Sequence, residues 1–418
     1  MRFIHAADLH LDSPLRGLDR YEGAPVERIR GATRRALENL VDLALAEEVD
    51  FVLLAGDIYD GDWQDFHTGL FFRGQMVRLG RAGIRVFIVQ GNHDAQSVIT
   101  KRLVMPDNVT VFPSRVATTV ELEALGAAVH GRSFPNRAVD EDLVPGYPAP
   151  RPGWFNIGLL HTSLTGRAGH DTYAPTQPAT LTAKGYDYWA LGHVHAREVV
   201  SASPRIVFPG NLQGRHANET GPKGCELVAV EGGAISAEFV ALDVVRWHQV
   251  EVALDGDDDL VAVAARFRAA VEPQLVAAPD RLHALRVRLT GASALHALEA
   301  RSPGTLAAQV QAAAQDLGEA DVWIEQVRVE LAAPFDRAAQ LARDDAIGEL
   351  VRLVDTIAAD EAQLRGFIDT ELGRLLRELP PELGDATVAL DSDAAALRSL
   401  LADAEATVLA RLLAERDD

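Results

Sequence analysis

The first part of the chain alternates short apolar runs with longer segments whose apolar positions recur every three or four residues. Residues 2–7 read as a strand, 26–47 as a helix rich in Ala and Leu, and 51–54 as a fully apolar strand; 65–81 form a second helix and 84–89 (IRVFIV) a third strand. Strand, helix, strand, helix, strand at this spacing predicts parallel βαβ units with helices on the sheet faces. Beyond residue 100 the pattern shifts to short strands without long helices between them, at 109–112, 127–130, 157–160, 188–191, 206–208, 225–230 and 235–242. The 25-residue stretch 162–186, with three Gly and two Pro, is too long for a plain connector and is of the kind that lines a site.

From about 246 the order reads strand (248–254), helix (257–271), strand (284–290), helix (293–316), strand (322–331). From about 335 the periodicity is helical throughout. Apolar residues fall at 347, 350, 351, 354 and 357, at 364, 367, 368, 372, 375 and 376, and again at 397, 400, 401, 408, 409, 412 and 413. Pro380-Pro381 and Gly384 separate the last set from the others, which predicts a helical hairpin. The expected domains are therefore 1–245, 246–332 and 333–418.

Composition narrows the class. The 418 residues suit two to three domains, and 48% hydrophobic with 24% charged is ordinary globular usage. A single cysteine, Cys225, allows neither an intrachain disulfide nor a thiolate zinc cluster and reads as a small buried hydrophobe in its strand. The N-terminus has no apolar leader region and no run approaches the roughly 18 apolar residues of a membrane span, so a reducing cytoplasm and no membrane are expected. The net charge of −21 works against a nucleic-acid surface built by this chain alone, because affinity for phosphate backbones comes from basic residues. Residues 335–418 carry 19 acidic against 9 basic residues, a net of −10.

The chemistry sits in the turns that follow apolar runs: Asp8-x-His10, Gly56-Asp57, Gly91-Asn92-His93-Asp94, His161, and Gly192-His193-x-His195. In open α/β sheets this is where ligands bind. Taken singly, each has a structural explanation: His10 or His161 as a hydrogen-bonded core histidine, Asp57 as a helix N-cap. Taken together they offer Asp8, Asp57, Asn92, His10, His161, His193 and His195 as ligands, with His93 and Asp94 left over. This mixed nitrogen and oxygen set without Cys suits Mn²⁺, Fe²⁺ or Zn²⁺. Seven ligands are too many for one ion with open positions. They suit two ions sharing a carboxylate, the arrangement that activates a water and clamps the attacking and leaving oxygens of a phosphoryl displacement.

Asp-x-His, Gly-Asp-x-x-Asp, Gly-Asn-His-Asp, a strand-terminal His and Gly-His-x-His, in this order over about residues 1–215, resemble the calcineurin-like metallophosphoesterase superfamily. Ala-Asp-Leu-His-Leu-Asp-Ser-Pro-Leu at 7–15 with Tyr-Trp-Ala-Leu-Gly-His-Val-His at 188–195 is similar to its SbcD/YhaO-type branch of DNA repair exonucleases. The resemblance implies an α/β fold: a four-layer sandwich of two mixed β-sheets flanked by helices, a small α/β capping domain and a C-terminal helical hairpin that binds a partner. It implies Asp8, His10, Asp57 and His195 as ligands of one ion and Asp57, Asn92, His161 and His193 as ligands of the other, with Mn²⁺ the usual metal. His93 then matches the leaving-group histidine, with Asp94 orienting it. Some relatives have His where this chain has Asp60, so Asp60 either supports a ligand or is simply solvated. Arg215 and His216, in the glycine-rich turn 209–216, are candidates for a neighbouring substrate phosphate.

The implied partners are DNA and an SbcC-like coiled-coil ATPase subunit, and a homodimer is left open. Two other readings stand beside the manganese-dependent DNA exonuclease/endonuclease. One is the same chemistry on a small phosphoester or cyclic nucleotide; the other is a scaffold subunit whose main role is to bind the ATPase.

Overall fold

The computed structural model describes residues 1–13, 24–60, 66–95, 103–165, 173–256, 258–317, 321–332, 337–378 and 394–414. Ser-Pro-Leu at 13–15 beyond Ser13, part of the 162–186 stretch, and the Pro380-Pro381 turn lie outside the described residues. The chain divides into two compact units, Met1–Gln249 with Ala278–Leu285 and Ala320–Glu325, and Val250–Ala277 with Arg286–Glu319 and Gln326–Asp418.

The first unit opens with β1 (Arg2–Ala6), α1 (Val26–Ala46), β2 (Phe51–Ala55), α2 (Phe66–Arg81) and β3 (Arg85–Val89). It continues with β4 (Val109–Val111), β5 (Thr118–Leu122), β6 (Ala127–Gly131), β7 (Phe155–His161), α3 (Pro178–Ala183) and β8 (Tyr188–Gly192). The strands β9 (Glu198–Ala202), β10 (Arg205–Phe208), β11 (Gly224–Glu231) and β12 (Ala234–Ala241) follow. Two six-stranded mixed sheets result, in the orders β12-β11-β1-β2-β3-β4 and β5-β6-β7-β8-β10-β9. The predicted parallel units are β1, β2 and β3 of the first sheet; β4 extends them in parallel, and β6, β7, β8 and β10 are a second parallel set that the sequence pattern does not announce. The edge strands β5 and β9 escaped the sequence reading because they are short, antiparallel and half exposed, with no apolar run to mark them.

The apolar spacing of α1 puts Ile29, Ala32, Ala36, Leu37, Leu40, Val41 and Ala44 on one buried face. Its later part, Ala36, Leu37, Leu40, Val41 and Ala44, covers the outer side of the first sheet with Phe72, Met76 and Leu79 of α2, while Ile29 and Ala32 pack against Val245 and Trp247. Between the sheets lie Phe3, Phe51, Phe87, Val129, Ile157, Tyr188 and Val207, contributed by both. The outer side of the second sheet is closed by α3 and irregular segments through Phe134, Tyr147, Leu181 and Trp189. Register sets the site. Ala6 is level with Leu54 and Leu54 with Ile88, while His161 is level with Gly192, so the carboxyl ends of the central strands of each sheet finish together.

Beyond this come β13 (Val245–Ala253), α4 (Leu260–Ala277), β14 (Leu282–Ala292), α5 (Leu295–Arg301), α6 (Thr305–Gln315) and β15 (Val322–Ala332). The predicted helix 293–316 is two helices, because Pro303-Gly304 interrupts it. The helices α7 (Arg337–Leu341), α8 (Ala346–Ala359), α9 (Glu361–Glu378) and α10 (Ala394–Ala414) follow. The first stripe of the expected hairpin is also two helices. Asp360 takes an extended conformation and its side chain accepts from Ala362 N–H, ending α8 and capping α9. Val354 and Ile357 of α8, Leu364 and Ile368 of α9, and Leu397 and Leu401 of α10 bury together. No helix among the described residues is long and apolar enough to cross a membrane.

Candidate metal centre

The turns after β1, β2 and β3 in one sheet and after β7 and β8 in the other converge within the first unit. Backbone hydrogen bonds lock them edge to edge: Asp8 N–H to Gly56 O and His10 N–H to Asp57 O, each 3.0 Å. Asp8, His10, Asp57 and His193 all have left-handed backbones, with φ of 52°, 42°, 53° and 104°. Such conformations cost of order 1–3 kcal/mol each in residues with a Cβ, and they cluster where a site demands them. Two glycines permit the approach. A Cβ on Gly91 would collide with Asp57 Oδ1 and His161, and one on Gly192 with the Ala55 carbonyl.

Three donor groups form among the described residues; one is His10, Asp60 and His93, and the other two gather the expected ligands. Asp8, His10 and His195 bring their ligand atoms within 4.8 Å of one another, as do Asp57, His161 and His193. Asp57 lies between the groups, its Oδ2 3.9 Å from His10 Nε2 and 3.5 Å from His161 Nε2. Asn92 joins the second through Oδ1, 3.0 Å from His161 Nε2. The outer hydrogen bonds fix which nitrogens face inward. His161 Nδ1 donates to the Ala55 carbonyl at 2.8 Å, and His195 Nδ1 to Glu219 Oε1 at 2.7 Å. Each proton therefore sits on Nδ1, and Nε2 presents a lone pair. His161 Nε2 then faces Asn92 Oδ1 acceptor to acceptor, and His195 Nε2 faces His10 Nε2 at 3.1 Å. Opposed acceptors among buried carboxylates are what divalent cations satisfy, so these residues fit a two-ion centre.

The acids respond to their crowding. Burial, with the neighbouring Asp57, raises the Asp8 carboxyl well above its ordinary value, and burial pushes Asp57 up to about 6. Burial and Arg215 lower His10 well below the usual imidazole range. Asp57 Oδ1 accepts the His93 N–H at 3.0 Å, and both oxygens of Asp8 accept the His193 N–H at 3.1 and 2.9 Å.

The expected pairing of Asp94 with His93 is corrected. The Asp94 carboxylate is taken up by three backbone N–H groups, Ile58 at 3.2 Å, Tyr59 at 3.1 Å and Gly91 at 3.2 Å. It braces two ligand turns, and burial together with Asp57 pushes it up to about 7. The carboxylate beside His93 is that of Asp60, with Oδ1 3.1 Å from Nδ1. Asp60 also accepts Ser13 Oγ–H at 2.6 Å and lies 3.5 Å from His10 Nδ1. Burial opposes ionisation of Asp60, but the imidazoles of His10 and His93 and the Ser13 hydroxyl hold its carboxyl far below the usual range. Burial likewise favours neutral His93, and Asp60 and Asp57 outweigh it to raise its pKa.

These groups open into a cavity of about 800 Å³ whose walls include Asp57, His93, Arg137, Tyr173, Arg215 and Lys223. Arg215 places Nη1 3.9 Å from Asp60 Oδ2, and its Nη2 donates to Glu219 at 2.9 Å. His216 is more exposed and lies at the rim, Nε2 3.6 Å from Glu219. Glu219, Lys223, Arg137 and Tyr173 were not singled out from sequence. Glu219 follows Arg215 by four residues in a polar turn, and no periodicity marks it.

Residues 1–197 match the calcineurin-like phosphoesterase family, and 247–332 match the middle domain of metallophosphoesterase YhaO. The chain is 40% identical over 256 residues, 60% of its length and 63% of the relative's, to the uncharacterized metallophosphoesterase YhaO of Bacillus subtilis. It is 24% identical over 264 residues, 60% of its length and 65% of the relative's, to the DNA double-strand break repair protein Mre11 of Sulfurisphaera tokodaii. Against the protein of the same name from Methanopyrus kandleri it is 24% identical over 278 residues, 58% of its length and 57% of the relative's. The matched stretches thus span 57% to 65% of these relatives. With those motifs gathered into one buried donor set, residues 1–197 carry a calcineurin-like phosphoesterase domain, and residues 247–332 are similar to the YhaO middle domain.

Proposed function

We propose that the chain is a manganese-dependent phosphodiesterase acting on DNA as an exonuclease/endonuclease subunit, together with an SbcC-like coiled-coil ATPase. The observation that carries this reading is the pair of donor groups meeting at Asp57 beneath a cavity of about 800 Å³. Asp8, His10, Asp57 and His195 would hold one ion; Asp57, Asn92, His161 and His193 would hold the other. When bound, the ions supply Lewis-acid activation and neutralise charge on the phosphate.

The chain's own residues do the rest. His93, held by Asp60 and open to the cavity, gives its proton to the departing oxygen. Asp94 keeps the turns carrying Asp57 and Asn92 in place. Arg215, at the cavity wall beside Asp60, takes a non-bridging phosphate oxygen. In this reading residues 1–245 are the nuclease domain, 246–332 the cap and 333–418 the partner-binding segment. The name shared by the two archaeal relatives supports DNA as the substrate. The ATPase would supply the positive surface that a chain of net charge −21 lacks.

Elemental analysis of the purified chain loaded with manganese tests the centre. Two ions per chain are expected in the wild type and neither in Asp57→Ala, since Asp57 touches both groups. Undiminished occupancy in that variant refutes the assignment. Hydrolysis of DNA by the chain with its ATPase, measured against a small phosphodiester and a cyclic nucleotide, decides the substrate.

A further inference from the structure

Beyond the ligands stands a carboxylate with more partners than one structural role requires. Glu219 is 7% exposed, and its side chain bonds both a candidate ligand and the arginine at the cavity wall. Its Oε1 lies 2.7 Å from His195 Nδ1 and 2.9 Å from Arg215 Nη2. Its Oε2 accepts the Arg215 backbone N–H at 2.8 Å and Asn211 Nδ2–H at 2.9 Å. Asn211 is fully buried, bridges to Ala7 at the end of the first strand, and donates also to Gln213 O. Glu219 is thereby fixed to the strand that delivers Asp8 and His10. On the other side Lys223 Nζ donates to the His195 carbonyl at 2.8 Å, so the His195 main chain is held as firmly as its ring.

We infer that Glu219 is a positioning residue with two outputs: it holds His195 with Nε2 directed at the metal centre, and it holds the Arg215 guanidinium over the substrate phosphate. This rests on the reading proposed above and deepens it. The first output follows from hydrogen-bond chemistry. A carboxylate at 2.7 Å accepts only from a protonated Nδ1, which leaves Nε2 as the ligand atom, and such outer partners are typically worth 10–100-fold in metal affinity. The second follows from the fork. Arg215 meets Glu219 through both backbone and side chain, and this leaves Nη1 reaching toward Asp60, the partner of His93. His195, Glu219, Arg215, Asp60 and His93 thus form one series of contacts beside the cavity, from a candidate ligand to the leaving-group residue.

A clamp serving only to fold the turn 209–219 would alter stability and leave the imidazole tautomer and the kinetics alone, and this separates the two ideas. In the metal-free wild type, ¹⁵N NMR of histidine-labelled full-length chain should show His195 protonated at Nδ1; an Nε2–H tautomer overturns the proposal even if every variant fails to fold. In Glu219→Gln, with folding checked by circular dichroism, that preference should be lost. Titration with Mn²⁺ followed by electron paramagnetic resonance should show one class of ion weakened 10–100-fold and the other unchanged. Arg215→Met should keep both manganese affinities and raise KM for a phosphodiester, while Glu219→Gln should alter affinity and KM together. An unshifted tautomer with unchanged manganese affinities in a folded Glu219→Gln overturns the proposal. A wild type that takes up no Mn²⁺ overturns the metallophosphoesterase reading instead, and the tautomer measurement still decides the role of Glu219.

Discussion

His93 takes its hydrogen-bond partner from another turn, three residues past the Gly56-Asp57 pair, and not from its own neighbour. That exchange separates two acids that look equivalent in the sequence. Asp60 touches the imidazole, while Asp94 satisfies three backbone N–H groups. His93→Gln should keep the fold and both ions and slow hydrolysis by roughly 10²–10⁴-fold, and Asp60→Asn should produce a smaller loss that vanishes when His93 is already replaced. Asp94→Ala should instead cost roughly 3 kcal/mol in urea unfolding, because buried donors are left without an acceptor. Equal stability losses for the three variants would erase the distinction. The candidate ligands were legible in sequence because each follows an apolar run and its type announces its chemistry. The roles of Asp60, whose type fits a support and a solvated group alike, and of Glu219 are not legible there. Their roles depend on which turn lies opposite, and no periodicity encodes that.

At the level of elements, what could be read was what periodicity marks. The fully buried strand β2 and the one-faced helix α1 were legible in outline, whereas the half-exposed β5 and β9 were not. The breaks at Pro303-Gly304 and Asp360 were missed because the apolar spacing runs through both, and local capping ended the helices there. The C-terminal helices bury one shared stripe but leave Leu353 of α8 and Phe367 of α9 55% and 40% exposed. Exposed apolar side chains on an acidic helical surface suit a basic, partly apolar helix of a partner. Leu353→Ser with Phe367→Ser should shift unfolding by no more than about 0.5 kcal/mol and reduce co-purification with the proposed ATPase partner. Full recovery of the complex would remove these helices from the interface.

Across the first unit as a whole, the two sheets are joined by a polar seam as well as an apolar one. His5 of β1 bonds Tyr188 Oη and the Leu191 carbonyl of β8, each at 3.0 Å, and Glu226 of β11 pairs with Arg205 of β10 at 2.8 Å. Burial lowers His5 from 6.5 to about 4, so its neutral form belongs to the folded state. The stability it contributes is present above pH 6.5 and is lost as pH falls through 4, on the order of 3 kcal/mol in all. Between those values the chelated wild type should weaken in urea more steeply than His5→Gln; parallel curves would rule this out. The same geometry gives the ions a second character. Asp8, Asp57 and Asn92 hang from one sheet and His161, His193 and His195 from the other. The proposed pair of cations among them would act as a bolt through two layers. The lone Cys225 is buried and cannot supply that link. Withdrawing the ions would therefore do to this sandwich what reduction does to a disulfide-stapled one: it would free the two layers at the end where the chemistry is done.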